Sequence, residues 1–221
     1  MARPSRQLDQ ALLDAGRLLY AAKGAAGLSV RAVAEAAGVT PSLFHYHFGS
    51  KQQFISALLQ QLYEDMYAPL SLAAGQRGVP ALSRLRAMLM VAGGFVQSQS
   101  ALASRIWADA GQGDPATLAF LRRNVPRHLR LILGALAEAD EEGSLPPQPL
   151  QARMSFLAGA VLAPIFLAER VPALAAEMPV LSAGWDKAVQ SDSALAWRID
   201  CALAGLQSRA HDALRSEDQP R

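Results

Sequence analysis

Between Leu28 and Gly49 the chain has room for two helices of about two turns each, joined by a turn of three or four residues, and this constrains everything around it. Ser29 stands where an N-cap belongs, and Val30, Val33, Ala34 and Ala37 form a short apolar stripe that ends at Gly38. Thr40-Pro41 reads as a second N-cap with proline in the first helical position, where its missing N–H costs nothing and its fixed φ is already helical. The second helix carries Ser42-Leu43-Phe44-His45-Tyr46-His47-Phe48 and stops near Gly49. Ahead of the pair, Leu8, Ala11, Leu12, Ala15, Leu18, Leu19 and Ala22 recur at spacings of three and four, predicting a helix that Gly24 and Gly27 end. Behind it, Ser50 caps a longer helix with the stripe Phe54, Leu58, Leu62 and Met66.

Beyond Pro69 the sequence turns to alanine-rich helical patterns, broken by glycine and proline at 75–80, 111–115, 143–149 and 172–184. Helices are expected near 79–98, 101–109, 115–140, 148–169 and 187–214, with a charged tail from Ser216. Hydrophobic residues make up 51% of the chain and aromatics only 6%, so its apolar content comes mainly from helix formers. No alternating run long enough for a strand appears, and the expected class is all-α. An N-terminal domain of residues 1–51, continuing into a connecting helix at 50–68, is followed by a helical bundle over 69–221.

The most apolar run, residues 156–168, is shorter than the roughly 20 residues a membrane-spanning helix needs, and reads as a buried helix. No apolar segment follows Met1-Ala2-Arg3-Pro4-Ser5 as a secretory signal would require. Cys201 is the single cysteine; it makes no internal disulfide and is expected to be a small buried hydrophobe. These features predict a cytoplasmic protein with no membrane partner. Residues 1–51 carry six basic and three acidic groups, while the remaining 170 carry 15 and 16, so the positive end of the chain is the one with the paired short helices.

Two short helices around a glycine-containing turn make the arrangement of a helix-turn-helix, in which the first helix braces and the second enters the major groove. Thr40 and Ser42 hydroxyls can donate to phosphates or base edges without bulk. Val33, Val39, Leu43, Phe44 and Phe48 are expected to fix the angle between the helices, leaving Thr40, Ser42, His45, Tyr46 and His47 to supply the outward face. Aromatic and imidazole groups there are unusual, since a face that meets only water carries Lys, Glu or Gln.

The stretch Gly38-Val39-Thr40-Pro41-Ser42-Leu43-Phe44-His45-Tyr46-His47-Phe48-Gly49-Ser50-Lys51, with Leu28-Ser29-Val30-Arg31-Ala32-Val33-Ala34 before it, makes residues 8–62 similar to the DNA-binding domain of the TetR family of bacterial transcriptional regulators. His45 stands where that family usually has Tyr, and Ser42 where it often has Gly. The resemblance implies that Thr40, Ser42, Tyr46 and His47 lie near phosphates and base edges and that Lys51 meets the DNA backbone as a point charge. Ser29 then caps its helix beside a phosphate, and His45 either donates to phosphate or packs on a thymine methyl. Arg31, Pro41 and Leu43 complete the expected DNA-binding set. The family further implies a homodimer built from the last two long helices and an all-helical second domain that binds a small molecule. The expected function is a ligand-responsive repressor that binds a palindromic operator as a homodimer and is released by a small apolar or amphipathic effector. The alternatives are an activator or a helical protein-interaction adaptor.

Candidate effector contacts are Gln97, Arg105, Trp107, Phe120, His128, Met154 and Phe166; polar members of that set on apolar helices must be exposed or partnered. The run around His128, from Arg122 to Arg130, reads as a solvated amphipathic face rather than a second anion site. Phe156, Gly159, Ala160 and Ala163 lie in a segment apolar nearly all round, and Leu195, Ile199, Leu203 and Leu206 repeat at fours and threes. Helices apolar on every side need cover on every side, so these eight residues are expected at a two-fold interface. His45 and His47 point about 200° apart on a helix and have no third ligand nearby, so no metal or cofactor is expected. The sequence has no Gly-x-Ser-x-Gly elbow, phosphate-cradling glycine loop, HExxH or Cys/His pairing, and the chain is not expected to be an enzyme.

Overall fold

In the computed structural model, which describes residues 3–168 and 184–208, every regular element is a helix. In chain order they are α1 (Arg3–Gly27), α2 (Val30–Ala36), α3 (Pro41–Phe48), α4 (Lys51–Ala74), α5 (Ala81–Ser98), α6 (Ser100–Gly111), α7 (Pro115–Glu141), α8 (Leu150–Ala168), α9 (Trp185–Gln190) and α10 (Asp192–Gln207). The expected break at 172–184, the end of the 187–214 helix and the tail from Ser216 lie outside the described residues, apart from Gly184 and the helical part up to Ser208. Three boundaries differ from the sequence reading. Pro69 lies inside α4 rather than ending it, because Met66, Leu70 and Ala73 are buried on either side and hold the helix together across the lost N–H. The last predicted helix is two, parted at Ser191, whose hydroxyl caps α10 by accepting from the Ala194 N–H. The thirteen-residue apolar run belongs to a 19-residue α8, long and apolar enough to cross a membrane by length and composition alone. In the fold, α8 buries Leu157, Val161 and Ile165, together with Arg153, whose guanidinium donates to Asp140 and the Pro146 carbonyl at 2.8 and 2.7 Å.

The helices form two compact units that are not consecutive in sequence: residues up to Asp65 with Gln99–Arg127, and Met66–Ser98 with residues from His128 onward. The sequence reading divided the chain once, near residue 69. It missed the return of α6 and the first half of α7 to the first unit because the groups that bring them back are single polar side chains. At Gly24, φ is 68°, which interrupts α1 and frees the Ala25 N–H. Asp109 of α6, buried, accepts that N–H at 2.7 Å. Gly24 is needed twice over, since a Cβ there would stand 2.7 Å from the Asp109 carboxylate. Tyr20, fully buried, donates to Thr117 at 3.1 Å, and Thr117 in turn donates to Asp114. Burial keeps the Tyr20 phenol protonated well above its usual range. Tyr63 donates to the backbone carbonyl of buried Asn124.

The second unit packs α5, α8 and α10 together, with Gly93 of α5 close against Val161 and Leu195. Its apolar core includes Leu85, Met88, Leu136, Leu157, Leu195 and Ile199.

Gly16 of α1 has the tightest glycine environment in the first unit. A Cβ there would overlap the Phe54 ring, and Phe54 is fully buried and has nowhere to go. Gly16→Ala is therefore expected to destabilise the protein by about 1–3 kcal/mol in chemical denaturation. Gly134→Ala, in a helical position with open space around it, should be neutral or gain up to about 1 kcal/mol. Equal effects from the two would show that α1 does not press on Phe54.

Candidate nucleic-acid interface

A helix as short as α3 is not stable by itself and must be held by its neighbours. Phe44 is completely buried, and its ring meets those of Phe48 and Phe54 at centroid distances of 5.7 and 4.9 Å, with Phe48 and Phe54 also 4.9 Å apart. This aromatic triad and buried Val33 and Ala34 of α2 pin one side of α3. Ser29 caps α2 by accepting from the Ala32 N–H. The start of α4 is closed by a reciprocal pair, Ser50 accepting from the Gln53 N–H and Gln53 accepting from the Ser50 N–H.

What remains outward on α3 and at its N-cap is Thr40, Pro41, Ser42, His45 and Tyr46, and Tyr46 is 83% exposed. From Pro41 to Tyr46 the positions follow i, i+1, i+4 and i+5, so they share one face. Thr40 holds the N-cap position without using its hydroxyl to cap, which leaves that group uncommitted. His45 is exposed, and its Nδ1 lies 2.8 Å from the Gly49 carbonyl. Arg31 is exposed on α2, and Leu43 is half-buried. Lys51 donates to the Ala26 carbonyl at 3.2 Å, tying the head of α4 to the interrupted end of α1 while two of its N–H bonds stay available.

His47 is the exception to the expected DNA-facing set. Its Nδ1 lies 2.5 Å from the Asp9 carboxylate of α1, and only 7% of its side chain is exposed. The 100° step per residue carries position 47 off the face shared by 42, 45 and 46, so His47 joins the scaffold. The contact was not legible in the sequence, because nothing there brings Asp9 opposite position 47. Among the described residues no group of His, Cys, Asp or Glu is gathered as a metal site.

The candidate effector residues do not gather in one unit. Arg105, Trp107 and Phe120 belong to the first, and Gln97, His128, Met154 and Phe166 to the second. Trp107 is 56% exposed, Phe120 packs its ring on Tyr63, Arg105 lies beside Gly24 and Asp109, and Gln97 donates to the Gln190 carbonyl at 2.5 Å. Two surface clefts in the second unit, about 700 and 450 Å³, are lined by other residues, including Arg84, Glu138 and Glu142 in one and Lys187 and Trp197 in the other. In the run around His128, Asn124 is buried and Arg127 lies over the Tyr63 ring and bonds Glu64, so part of that expected solvated face is packed.

The expected interface residues divide by element. Phe156, Gly159 and Ala163 are exposed on α8 and Ala160 is half-buried, but Leu195, Ile199 and Leu203 of α10 are buried in their own unit's core and Leu206 packs against it. The regular spacing of α10 leucines marks the face turned inward. Its outward face carries Trp197, Cys201, Ala204 and Gly205 instead, and Cys201 is exposed rather than buried as expected. The Phe156 ring lies over Gly205, so the α8 and α10 outward faces join.

Residues 12–58 match the family model described as bacterial regulatory proteins, tetR family. The chain is 32% identical over 90 residues to the HTH-type transcriptional regulator BetI of Brucella anthropi, covering 41% of this chain and 45% of that protein. With BetI of Rhizobium meliloti it is 29% identical over 141 residues, 60% of this chain and 67% of that one. The match to most of these curated relatives spans about half their length. Among solved structures, the ketosteroid transcriptional regulator KstR2 of Mycobacterium tuberculosis superposes with a TM-score of 0.66 at 16% identity, covering 91% of this chain and 95% of that one. PfmR, a TetR family transcriptional regulator from Thermus thermophilus, gives 0.66 at 15% identity over 88% and 94%. At such identities the structural likeness shows the fold.

The two aromatic-ring neighbours at 46 and 47 should separate in experiment. His47→Ala, which removes a nearly buried ring and leaves Asp9 unpartnered, is expected to cost about 1–2 kcal/mol of stability in denaturant. Tyr46→Ala should change stability by less than about 0.5 kcal/mol while weakening binding to duplex DNA. Equal losses of stability would contradict the assignment of their faces.

Proposed function

We propose that this chain, whose residues 12–58 match the model of the tetR family of bacterial regulatory proteins, is a DNA-binding transcriptional regulator and acts as a repressor that binds a palindromic operator as a homodimer, with the outward face of α3 in the major groove. The observation that carries this reading is the composition of that face: a proline, small hydroxyls, an imidazole and a phenol, with no carboxylate and with Tyr46 left almost fully exposed by the fold. Thr40, Ser42, His45 and Tyr46 are the residues assigned to phosphates and base edges, with Ser29, Arg31 and Lys51 to the flanking backbone. His47 is assigned to positioning α3 through Asp9.

Dimerisation is supported by the joined outward faces of α8 and α10. Trp197 is 67% exposed, Leu167 48% and Phe156 47%, an unusual outlay of large apolar surface for two helices of one unit. Small residues at Gly159, Ala163 and Ala204 beside them would let a partner's helices approach closely. Two-fold symmetry then sets two copies of α3 about one helical turn of DNA apart, roughly 34–36 Å. An effector that reaches the second unit meets an apolar core, which supports a small apolar or amphipathic molecule. Such a molecule lowers operator affinity only by binding the two conformations differently, typically by about 1–3 kcal/mol.

Selection of bound sequences from a random duplex library is expected to return a palindrome. Ser42→Ala should relax preference at one position per half-site by about 1–3 kcal/mol, and Lys51→Ala should weaken all duplexes alike and reduce the salt slope by about one unit per protomer. Selected sequences without symmetry, or a Ser42 variant with unchanged preference, would contradict the reading. For the dimer, Trp197→Asp or Phe156→Asp is expected to give a folded monomer on a sizing column, while Leu203→Asp should unfold the second unit. A dimer that survives both exposed substitutions would place the interface elsewhere.

A further inference from the structure

His45 is held at the end of α3 by two bonds to one residue: its carbonyl accepts from the Gly49 N–H at 2.9 Å, and its ring Nδ1 meets the Gly49 carbonyl at 2.8 Å. A carbonyl has no proton to give, so Nδ1 carries the hydrogen and donates. That fixes the tautomer and leaves Nε2 as the one ring nitrogen turned away from the backbone. In the neutral ring Nε2 is a lone pair, which repels a phosphate oxygen; in the imidazolium it is an N–H that forms a charge-assisted bond with one.

We infer that His45 engages the DNA backbone only in its doubly protonated form, so that each protomer takes up one proton from solvent when it binds a duplex. This rests on the reading that the outward face of α3 meets DNA, and gives that face a dependence on pH. The nearest neighbours of the His45 ring on its own helix are uncharged. On α3 itself, Phe44 meets it edge-on at 5.7 Å and Ser42 and Tyr46 share its face. Among charged groups on the packed elements, Asp9 of α1 is taken by His47, Asp14 accepts from Gln10 and Arg17 is paired with Asp65; Arg31 and Glu35 are exposed on α2; and Lys51 of α4 donates to the Ala26 carbonyl. None of them bonds the His45 ring. Imidazole is the side chain that changes charge between about pH 5 and 8, whereas lysine and tyrosine side chains and DNA phosphates ordinarily keep theirs there.

The test is fluorescence anisotropy of the full chain with a labelled mixed-sequence duplex, at fixed ionic strength, from about pH 6 to about pH 8. The logarithm of affinity is expected to fall with a slope approaching −1 per protomer bound on the alkaline side, the signature of one linked proton. His45→Gln, which keeps an amide N–H for the Gly49 carbonyl but cannot take up the proton, should be flat, as should His45→Tyr. His47→Gln should retain the slope. At about pH 6 the wild-type log–log salt slope should exceed that of His45→Gln by about 0.9 per protomer, the release expected for one more neutralised phosphate. A flat wild-type profile, an affinity that rises with pH, or a slope that survives His45→Gln and vanishes in His47→Gln would each overturn the inference. Failure of the underlying reading looks different: Ser42→Ala and Tyr46→Ala would then bind with wild-type affinity at every pH.

Discussion

The aromatic contact among Phe44, Phe48 and Phe54 is the constraint on which the outward face of α3 depends. A helix of two turns has too few internal hydrogen bonds to hold its own shape, so its orientation is borrowed from whatever covers its inner side. Phe54 projects from α4 into that triad and touches Gly16 of α1 on its other side, so a single ring joins three helices. Once Phe44 is buried, the helical repeat fixes the rest: positions 41, 42, 45 and 46 face out and position 47 turns toward α1, where Asp9 receives it. The outward face is thus a consequence of packing on the opposite side.

A second set of contacts, all polar, holds α6 and the start of α7 within the same unit. Asp109 accepts the N–H freed by the α1 interruption, and Tyr20 and Tyr63 reach Thr117 and the Asn124 carbonyl. Each satisfies a donor or acceptor that would otherwise be buried without a partner, at a cost of about 1–3 kcal/mol apiece. Specificity for one docking of α6 follows more directly from these bonds than from apolar area, because Leu102 and Ile106 alone would tolerate neighbouring positions along α1.

Much of this was legible in the sequence, and the limits have physical reasons. Helix positions at 30–36, 41–48 and 115–141 followed from periodicity and from Ser, Thr, Pro and Gly punctuation, which act locally. The outward residues Ser42, His45 and Tyr46 followed from the same period. His47 was counted with them although the same period turns it off that face, and the group that receives it, Asp9, lies nearly forty positions earlier in the chain. Leu195, Ile199 and Leu203 were assigned to a two-fold interface because an apolar stripe does not say which neighbour it will meet. The fold gives that stripe to α5 and α8 of the same chain and leaves the less regular Trp197 and Cys201 outside. The return of α6 to the first unit was invisible for the reason that its markers, Asp109 and Gly24, are single residues far apart in sequence.

The division of roles on α3 is tested most directly by following side-chain ring signals in NMR spectra while a duplex selected from a random library is added. The Tyr46 and His45 rings should shift or broaden at stoichiometric DNA, while the His47 ring, enclosed against Asp9, should keep its position. Perturbation of His47 with Tyr46 unmoved would mean that another face of the molecule meets the nucleic acid.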